Sequence, residues 1–212
     1  MITVYGRATS SNVQIAMWTI GEIGLEFERL DIGHSYGGND TPEYLAMNPN
    51  GLVPTIRDGD FVLWEAAAIM RYLAARYGDE AFWPRDPAVR APLDMWAEWI
   101  RSTFAPTFSG GLFWPLVRTP AAKRDDEAVA RAVEKVKPLA RMLDARLGDG
   151  PWLAGEAFTF ADVMVGHQLY RYYTMEFDRA ETPALDAYYQ RLQTRPAYVE
   201  HGMVSYEPLR VT

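Results

Sequence analysis

The chain has 212 residues, of which 49% are hydrophobic and 23% are charged, a composition typical of a folded globular protein. Its net charge is -7, from 28 acidic and 21 basic residues, so nucleic acid is not an expected partner. The sequence contains no cysteine, which excludes disulfides, cysteine-based zinc sites and thiol nucleophiles. Any sulfur chemistry must therefore use a sulfur atom that a ligand brings.

No stretch of the sequence reaches the roughly 18 consecutive apolar residues that a membrane span needs. The first residues, Met1 to Tyr5, show neither the basic start nor the apolar run of a secretory signal. The three histidines have no metal-ligand spacing, so no metal site is predicted. We expect a cytoplasmic protein with no membrane partner.

The first part of the chain alternates between strand and helix patterns. Apolar residues at helical spacing follow a short β-rich run, and Asp58-Gly59-Asp60 is a strong hairpin signal between two later runs. The order βαβ, short helix, ββα predicts one small mixed sheet with helices against it. The predicted strands are Ile2 to Tyr5, Leu25 to Ile32, Val53 to Arg57 and Phe61 to Trp64, and the helices run from Val13 to Ile23, Thr41 to Met47 and Ile69 to Tyr77.

Beyond Gly78 the strand signals stop and the pattern becomes helical. We predict a first domain at 1–78, a linker rich in proline at 79–87 and an all-helical domain at 88–212. The predicted helices cover residues 88–104, 121–147, 160–176, 184–194 and 196–203. Chain breaks are predicted at Gly110-Gly111, Trp114-Pro115 and Gly148-Asp149-Gly150-Pro151.

Two local sequence features in the helical half, an interior proline and a capping box, each bear on one predicted helix. Pro138 lies inside the long helix 121–147 and is expected to kink or split it. Thr159 and Asp162 have the spacing of a capping box, with Phe158 placed to contact Val163. The second feature predicts that a helix begins at Phe160.

The segment from Thr9 to Asn12 lies between the first strand and the first helix. The N–H groups at a helix start stabilise an anion such as a thiolate, and Ser10, Ser11 and Asn12 bring polar side chains there. The alternative is that one of these side chains only caps the helix, because serine and asparagine are preferred caps.

Two further places suggest contacts to a peptide-like ligand. A cis bond before Pro54 would turn the N–H and C=O of Val53 outward, free to pair with an extended ligand. Glu65 could receive a ligand ammonium group while the N–H of Ala66 receives a carboxylate. The alternative for Glu65 is a glutamate favoured by the dipole of the helix that follows.

Aromatic residues in the helical half offer the apolar surface for a hydrophobic substrate. At helical spacing such residues more often form core or a subunit interface than a pocket. The set comprises Trp96, Trp99, Phe104, Phe108, Phe113, Trp114, Tyr170, Tyr172 and Tyr173.

Four motifs together resemble the glutathione S-transferase family, and the resemblance covers essentially the whole chain. The motifs are Ser10-Ser11-Asn12-Val13-Gln14, Asn48-Pro49-Asn50-Gly51-Leu52-Val53-Pro54, Trp64-Glu65-Ala66-Ala67-Ala68-Ile69 and Thr159-Phe160-Ala161-Asp162. The resemblance implies an α/β thioredoxin-like N-terminal domain followed by an all-α domain. It also implies a homodimer that uses glutathione as co-substrate.

The resemblance implies that a hydroxyl holds the glutathione thiol as thiolate for attack on a small hydrophobic electrophile. Ser10 aligns with the family's serine, Ser11 is a competitor, and some bacterial members use an asparagine at the position of Asn12. Conjugation is the expected reaction, with glutathione-dependent reduction of peroxides or disulfides as a variant. The implied substrate-binding residues are Val53, Pro54, Glu65, Ala66, Phe104, Phe108, Trp114 and Tyr170.

Two residues depart from the family pattern. Leu52 stands where a lysine usually holds the glycine carboxylate of glutathione, and Ala66 stands where a serine usually bonds the γ-glutamyl carboxylate. Weaker glutathione binding is therefore expected, unless Arg7, His34 or the Gly37-Gly38 loop compensates. These departures leave a second hypothesis open, a non-catalytic member that binds a ligand or a protein.

Overall fold

The computed structural model describes residues 1–148 and 150–211. Its first part contains a four-stranded sheet in the order β2-β1-β3-β4, in which β1 and β2 are parallel and the other pairs are antiparallel. The predicted mixed sheet is thus confirmed. The elements are β1 Ile2–Tyr5, α1 Ser11–Ile23, β2 Phe27–Leu30, α2 Pro42–Met47, β3 Thr55–Asp58, β4 Phe61–Trp64 and α3 Ala66–Tyr77.

The sheet packs against α1 and α3 because side chains alternate along β1. Ile2 and Val4 are buried, whereas the side chains between and after them are half-buried. They contact the apolar faces of both helices, including Ile20 on α1 and Leu73 on α3. Gly24 ends α1 with a φ of 74°, a left-handed conformation that glycine adopts without strain.

The second part of the described chain is helical. After α4, the backbone continues without a break through wider π-helical turns at Ile100–Phe104 and Pro106–Phe113. The remaining helices pack around one aromatic and aliphatic core. The helices are α4 Pro87–Trp99, α5 Trp114–Val117, α6 Asp126–Leu147, α7 Phe160–Gly166, α8 Leu169–Thr174, α9 Pro183–Leu192 and α10 Pro196–His201.

The chain breaks predicted at Gly110-Gly111 and Trp114-Pro115 are wrong, because the backbone stays helical through both. A Cβ atom at Gly111 would lie 2.7 Å from the Cβ of Ala132, so glycine here allows close packing against α6. Packing therefore outweighs the helix-breaking tendency of glycine. The predicted break between Gly148 and Pro151 includes Asp149, which lies outside the described residues. The predicted helical domain ends at Thr212, which also lies outside them.

Pro138 does not split the long helix, since α6 runs unbroken from Asp126 to Leu147. The buried stripe of α6, formed by Ala132, Val136, Ala140, Leu143 and Leu147, continues on both sides of the proline. Burial of that stripe offsets the roughly 3 kcal/mol that an interior proline costs.

The helix predicted at 160–176 is instead two helices, α7 and α8, with His167 and Gln168 between them.

The capping box at the start of α7 is confirmed. The Thr159 N–H donates to Asp162 Oδ2 at 2.8 Å, and Thr159 Oγ1 accepts the N–H of Ala161 at 3.3 Å. Within the described ranges, none of the helices combines the length and apolarity needed to cross a bilayer.

Candidate functional site

A cavity of about 590 Å³ lies between the sheet-containing part and the helical part of the chain. Its size falls within the range of small-molecule sites. It brings together most of the residues that the sequence singles out from both parts of the chain. These are Ser10, Ser11, Asn12, Val53, Pro54, Glu65, Ala66 and Trp114.

Ser10 precedes the first residue of α1, but its hydroxyl makes no capping hydrogen bond. Its backbone is fixed on both sides, because its N–H donates to the C=O of Arg7 at 3.1 Å and its C=O accepts the N–H of Gln14 at 2.9 Å. The residue is only 9% exposed and borders the cavity. The capping alternative thus does not apply to Ser10, whose hydroxyl is available to a ligand.

The two residues that follow Ser10 also line the cavity. Ser11 is half-buried at the first position of α1, and Asn12 is exposed. The N–H groups of this first turn have no partners within the helix, so they add positive potential beside the three polar side chains. The start of α1 therefore suits an anionic sulfur.

The loop before β3 presents a free backbone edge to the cavity. The Val53–Pro54 bond is cis, and the N–H and C=O of Val53 make no hydrogen bond within the described chain. The preceding C=O, of Leu52, accepts from the Tyr44 hydroxyl at 2.6 Å and from Asn48 Nδ2 at 2.8 Å. These buried partners hold the loop, so that Val53 offers one donor and one acceptor to an extended ligand.

Glu65 lies at the cavity with a backbone φ of 72°, a left-handed conformation that is rare for a residue other than glycine. Its C=O accepts the N–H of Ile69 at 2.9 Å, and its side chain is exposed and forms no cap. Ala66 follows as the buried first residue of α3, where backbone N–H groups lack helical partners. A strained residue at a helix start and beside a cavity indicates a binding site.

Of the four aromatic residues expected in the pocket, only Trp114 lines it, with 54% of its surface exposed. Phe104 and Phe108 are fully buried in the helical core, where both rings contact Tyr172 with centroids about 6 Å apart. Tyr170 is half-buried and packs edge-on against Tyr206 rather than on the cavity. These three assignments are corrected.

The same helical stretch turns another face to the cavity, formed by Pro106, Ser109 and Phe113. Helical spacing shows which residues share a face, but it does not show which face meets a ligand. The sequence therefore could not show that Pro106, Ser109 and Phe113 line the cavity while Phe104 and Phe108 lie in the core.

A polar wall that the sequence did not indicate follows α7. His167 Nδ1 donates to the C=O of Met164 at 2.6 Å, so its Nε2 accepts from the Gln168 amide at 2.7 Å. The Ser109 hydroxyl donates to Gln168 Oε1 at 3.3 Å. Burial lowers the pKa of His167 to about 4, which keeps the imidazole neutral at pH 7.

Four arginines also line the cavity, of which Arg101 is paired with Glu98; the other three are Arg7, Arg118 and Arg171. Burial first, and then the nearby charges of Arg7 and Arg118, lower the pKa of Arg171 to about 10. The pKa of Arg7 is lowered by burial first and then by Arg118. No local sequence pattern connects positions 7, 118 and 171, so only the tertiary structure shows this group.

The two departures from the family pattern also lie at the cavity. Leu52 is 67% exposed at its edge, and Ala66 is buried at the start of α3. The side chains at both positions are apolar, so a ligand here gains only backbone hydrogen bonds from them.

Two family models match the chain. The model described as "Glutathione S-transferase, N-terminal domain" matches residues 1–75. The model described as "Glutathione S-transferase, C-terminal domain" matches residues 126–191. The chain is similar to glutathione S-transferase GstB of Escherichia coli, with 38% identity over 199 residues that cover 93% of this chain and 95% of that protein. It is also 35% identical to glutathione S-transferase 3 of Zea mays, over 93% of this chain and 91% of that one.

Among solved structures, the fold is similar to a theta class glutathione S-transferase from Xanthomonas axonopodis pv. citri with glutathione bound. The TM-score is 0.91 and the identity 45%, over 97% of this chain and 98% of that one. These relatives give no support to the hypothesis of a non-catalytic binding protein. From the family models, the identities and the shared fold together, the chain belongs to the glutathione S-transferase family.

Proposed function

We propose that the protein conjugates glutathione to small hydrophobic electrophiles and that the Ser10 hydroxyl holds the glutathione sulfur as a thiolate. The observation that carries this proposal is the position of Ser10, whose hydroxyl makes no helix cap and borders the cavity. An ordinary thiol has a pKa of about 8.5, so at pH 7 it is mostly protonated. A donated hydrogen bond and the start of α1 both favour the charged form and lower that pKa.

The first domain supplies the contacts proposed for glutathione. The N–H and C=O of Val53 pair with the ligand backbone beside Pro54, as an added strand would. Glu65 receives the α-ammonium group, and the N–H of Ala66 receives the neighbouring carboxylate at the start of α3. Trp114 from the helical part covers the electrophile.

The reaction needs no further cofactor. The thiolate attacks the electrophilic carbon, a C–S bond forms, and the leaving group departs with the electron pair of its own bond. Ser10 keeps its proton and stabilises the negative sulfur until attack. Leu52 and Ala66 each remove one polar side-chain contact, and the loss of a hydrogen bond to a charged group costs about 1.5 to 3 kcal/mol of binding. We therefore expect glutathione affinity below that of members with lysine and serine at these positions.

The test is ultraviolet difference spectroscopy of the glutathione thiolate on the protein between pH 5 and 9. In the unmodified protein the thiolate should appear well below the pKa of free glutathione. Ser10→Ala should remove most of that shift and lower kcat by about tenfold to a thousandfold, because the hydroxyl donor to the sulfur is gone and only the start of α1 still favours the thiolate.

Ser11→Ala and Asn12→Ala are the matched controls, since both residues border the same cavity. Each should retain the thiolate signal. Loss of the signal in Ser11→Ala or Asn12→Ala, with Ser10→Ala unchanged, would move the role to that residue. Absence of any thiolate at saturating glutathione would contradict the transferase proposal and favour the non-catalytic alternative.

Further parts of the proposal extend the same function. Glutathione-dependent reduction of peroxides or disulfides would use the same thiolate. Three expectations stay predictions: the homodimer, the cytoplasmic location, and the domain boundaries at 1–78, 79–87 and 88–212.

A further inference from the structure

The cavity contains an excess of positive charge in a chain whose net charge is -7. We name Arg7, Arg118 and Arg171 the arginine cluster. Within residues 1–148 and 150–211, none of the three forms an ion pair with a carboxylate. All three line the same cavity, so like charges share one space. Burial and the charge of Arg118 lower the pKa of Arg7, and burial and the charges of Arg7 and Arg118 lower the pKa of Arg171.

The buried hydrogen-bond donors of the cluster are incomplete. Arg171 is 4% exposed and donates from Nη2 to the C=O of Thr9 at 2.8 Å, but its Nε has no partner among the described residues. The Nε of Arg7 is likewise buried without a partner there. Buried donors in proteins are almost always paired, so the cluster keeps hydrogen-bonding capacity that the described residues do not use.

Aromatic rings lie against the faces of two of the guanidinium groups. Arg171 lies over the ring of Phe113 at 4.2 Å, and Arg118 lies over the ring of Trp114 at 4.5 Å. The planar edge of a guanidinium group carries parallel N–H donors that match the two oxygens of a carboxylate.

Two members of the cluster, Arg118 and Arg171, border the helical side of the cavity, where an electrophile would meet the sulfur. Arg118 and Arg171 belong to the helical part, whereas Val53, Glu65 and Ala66, the residues proposed for glutathione, belong to the first part. The C=O that Arg171 binds is that of Thr9, the residue before Ser10.

We propose that the arginine cluster binds a carboxylate on the electrophile, so that the preferred substrates are small aromatic carboxylates. The aromatic body of the substrate then lies against Trp114 and the carboxylate reaches Arg118 and Arg171. This inference rests on the proposed transferase function and assigns its substrate class.

The first measurement uses two electrophiles of similar size, the charged 4-chloro-3,5-dinitrobenzoate and the neutral 4-chloro-3,5-dinitrobenzamide. Each kcat/KM is divided by the rate constant of the uncatalysed reaction with glutathione, because the carboxamide activates the ring more strongly than the carboxylate. In both, the thiolate attacks the ring carbon that bears chlorine, a C–S bond forms, and chloride leaves with the electron pair. The ratio of kcat/KM for the benzoate to that for the benzamide should exceed about ten, because a buried charge-assisted contact favours the anion. High salt should reduce the ratio.

Arg118→Gln should lower that ratio by about tenfold, because the glutamine keeps a polar group but loses the charge. Arg131→Gln is the matched control, since Arg131 is exposed on α6 and pairs with Asp125 and Glu127. The control should leave the ratio unchanged. An unchanged ratio in Arg118→Gln, together with a raised KM for glutathione, would assign the cluster to a carboxylate of glutathione and overturn the proposal.

A binding measurement separates this inference from the proposed function. Calorimetry with unreactive 3,5-dinitrobenzoate and 3,5-dinitrobenzamide, at saturating glutathione, requires no turnover. Tighter binding of the benzoate that is lost in Arg118→Gln supports the cluster as a carboxylate site even if neither chloro compound is converted. Equal binding of the two compounds overturns it even if both are converted.

Discussion

His167 is buried beside the cavity and acts there as a neutral acceptor. Its Nδ1–H is bonded to the C=O of Met164, and its Nε2 orients Gln168, which in turn accepts from the Ser109 hydroxyl. Burial lowers its pKa to about 4, and the charge of Arg171 acts in the same direction. One imidazole thereby fixes the orientation of two polar side chains that a substrate can contact.

Stability should depend on pH through His167. Its pKa in the folded protein lies below the ordinary value of about 6.5, so as the pH falls below 6.5 the unfolded chain gains a proton that the folded chain does not. The stabilisation is complete above pH 6.5 and is lost progressively toward pH 4, by on the order of 3 kcal/mol. Urea denaturation from pH 4 to pH 8 measures it.

His167→Gln is the variant for this measurement, because it cannot gain the proton. The pKa of Asp162 is raised to about 6 by burial and acts in the opposite direction over the same range. The difference in unfolding free energy between the unmodified protein and His167→Gln is therefore the quantity to follow. A difference that stays constant from pH 4 to pH 8 would show that His167 does not carry this dependence.

At the scale of single elements, the start of α7 shows how one carboxylate organises several segments. Asp162 accepts the N–H of Leu153 at 3.0 Å, the N–H of Thr159 at 2.8 Å and the hydroxyl of Tyr188 at 3.1 Å. It thus connects the loop before α7, the first turn of α7 and α9. Since α7 also carries Met164, which lines the cavity, this network positions part of the site.

Asp162→Ala should lower the free energy of unfolding by about 3 kcal/mol or more, because several buried donors lose their acceptor at once. Asp162→Asn should cost less, since one acceptor oxygen remains. The control is Asp178→Ala, whose exposed carboxylate pairs with Lys137 and should contribute less than about 1 kcal/mol. Urea titration followed by circular dichroism measures all three variants, and equal losses in Asp162→Ala and Asp178→Ala would contradict the role of the network.

At the scale of the whole molecule, the cavity exists because the two parts of the chain are docked against each other. Trp18 of α1 is fully buried and packs on Tyr198 of α10, with ring centroids 4.6 Å apart. Its Nε1 donates to Glu22 at 2.7 Å, and the same carboxylate is paired with Arg195. The helix α1, which begins at Ser11 beside the cavity, is thereby held against α10 of the helical part.

Gly166→Ala tests this docking. A Cβ atom at Gly166 would lie 2.5 Å from Cη2 of Trp18, and the indole ring is held by its hydrogen bond to Glu22. The variant should lose about 1 to 3 kcal/mol of unfolding free energy and also lose activity, because α1 and α7 must separate.

Gly110→Ala is the matched control, since no atom lies within 4 Å of the Cβ position at this helical glycine. It should be neutral or up to about 1 kcal/mol more stable, because alanine favours helix. Thermal unfolding and the rate of glutathione conjugation measure both variants. Equal stability of Gly166→Ala and Gly110→Ala would show that the contact with Trp18 does not limit the approach of the two parts.

The sequence by itself determined the mixed sheet, the helical second half, the capping box at Thr159 and the cavity positions of Ser10, Val53, Glu65 and Ala66. These features follow from local rules, because alternation, helical spacing and capping each depend on residues within one or two turns. Ser10, Glu65 and Ala66 lie where a helix begins and Val53 lies in the loop before β3, so their placement follows once the element order is known.

Only the tertiary structure decided which face of the helical stretch from Ile100 to Val117 meets the cavity. Phe104 and Phe108 lie in the core, while Ser109 and Trp114 reach the ligand side. The arginine cluster likewise combines positions separated by 53 and more residues. Periodicity reports that side chains share a face, but the packing of distant helices determines what that face contacts, and no local pattern contains that information.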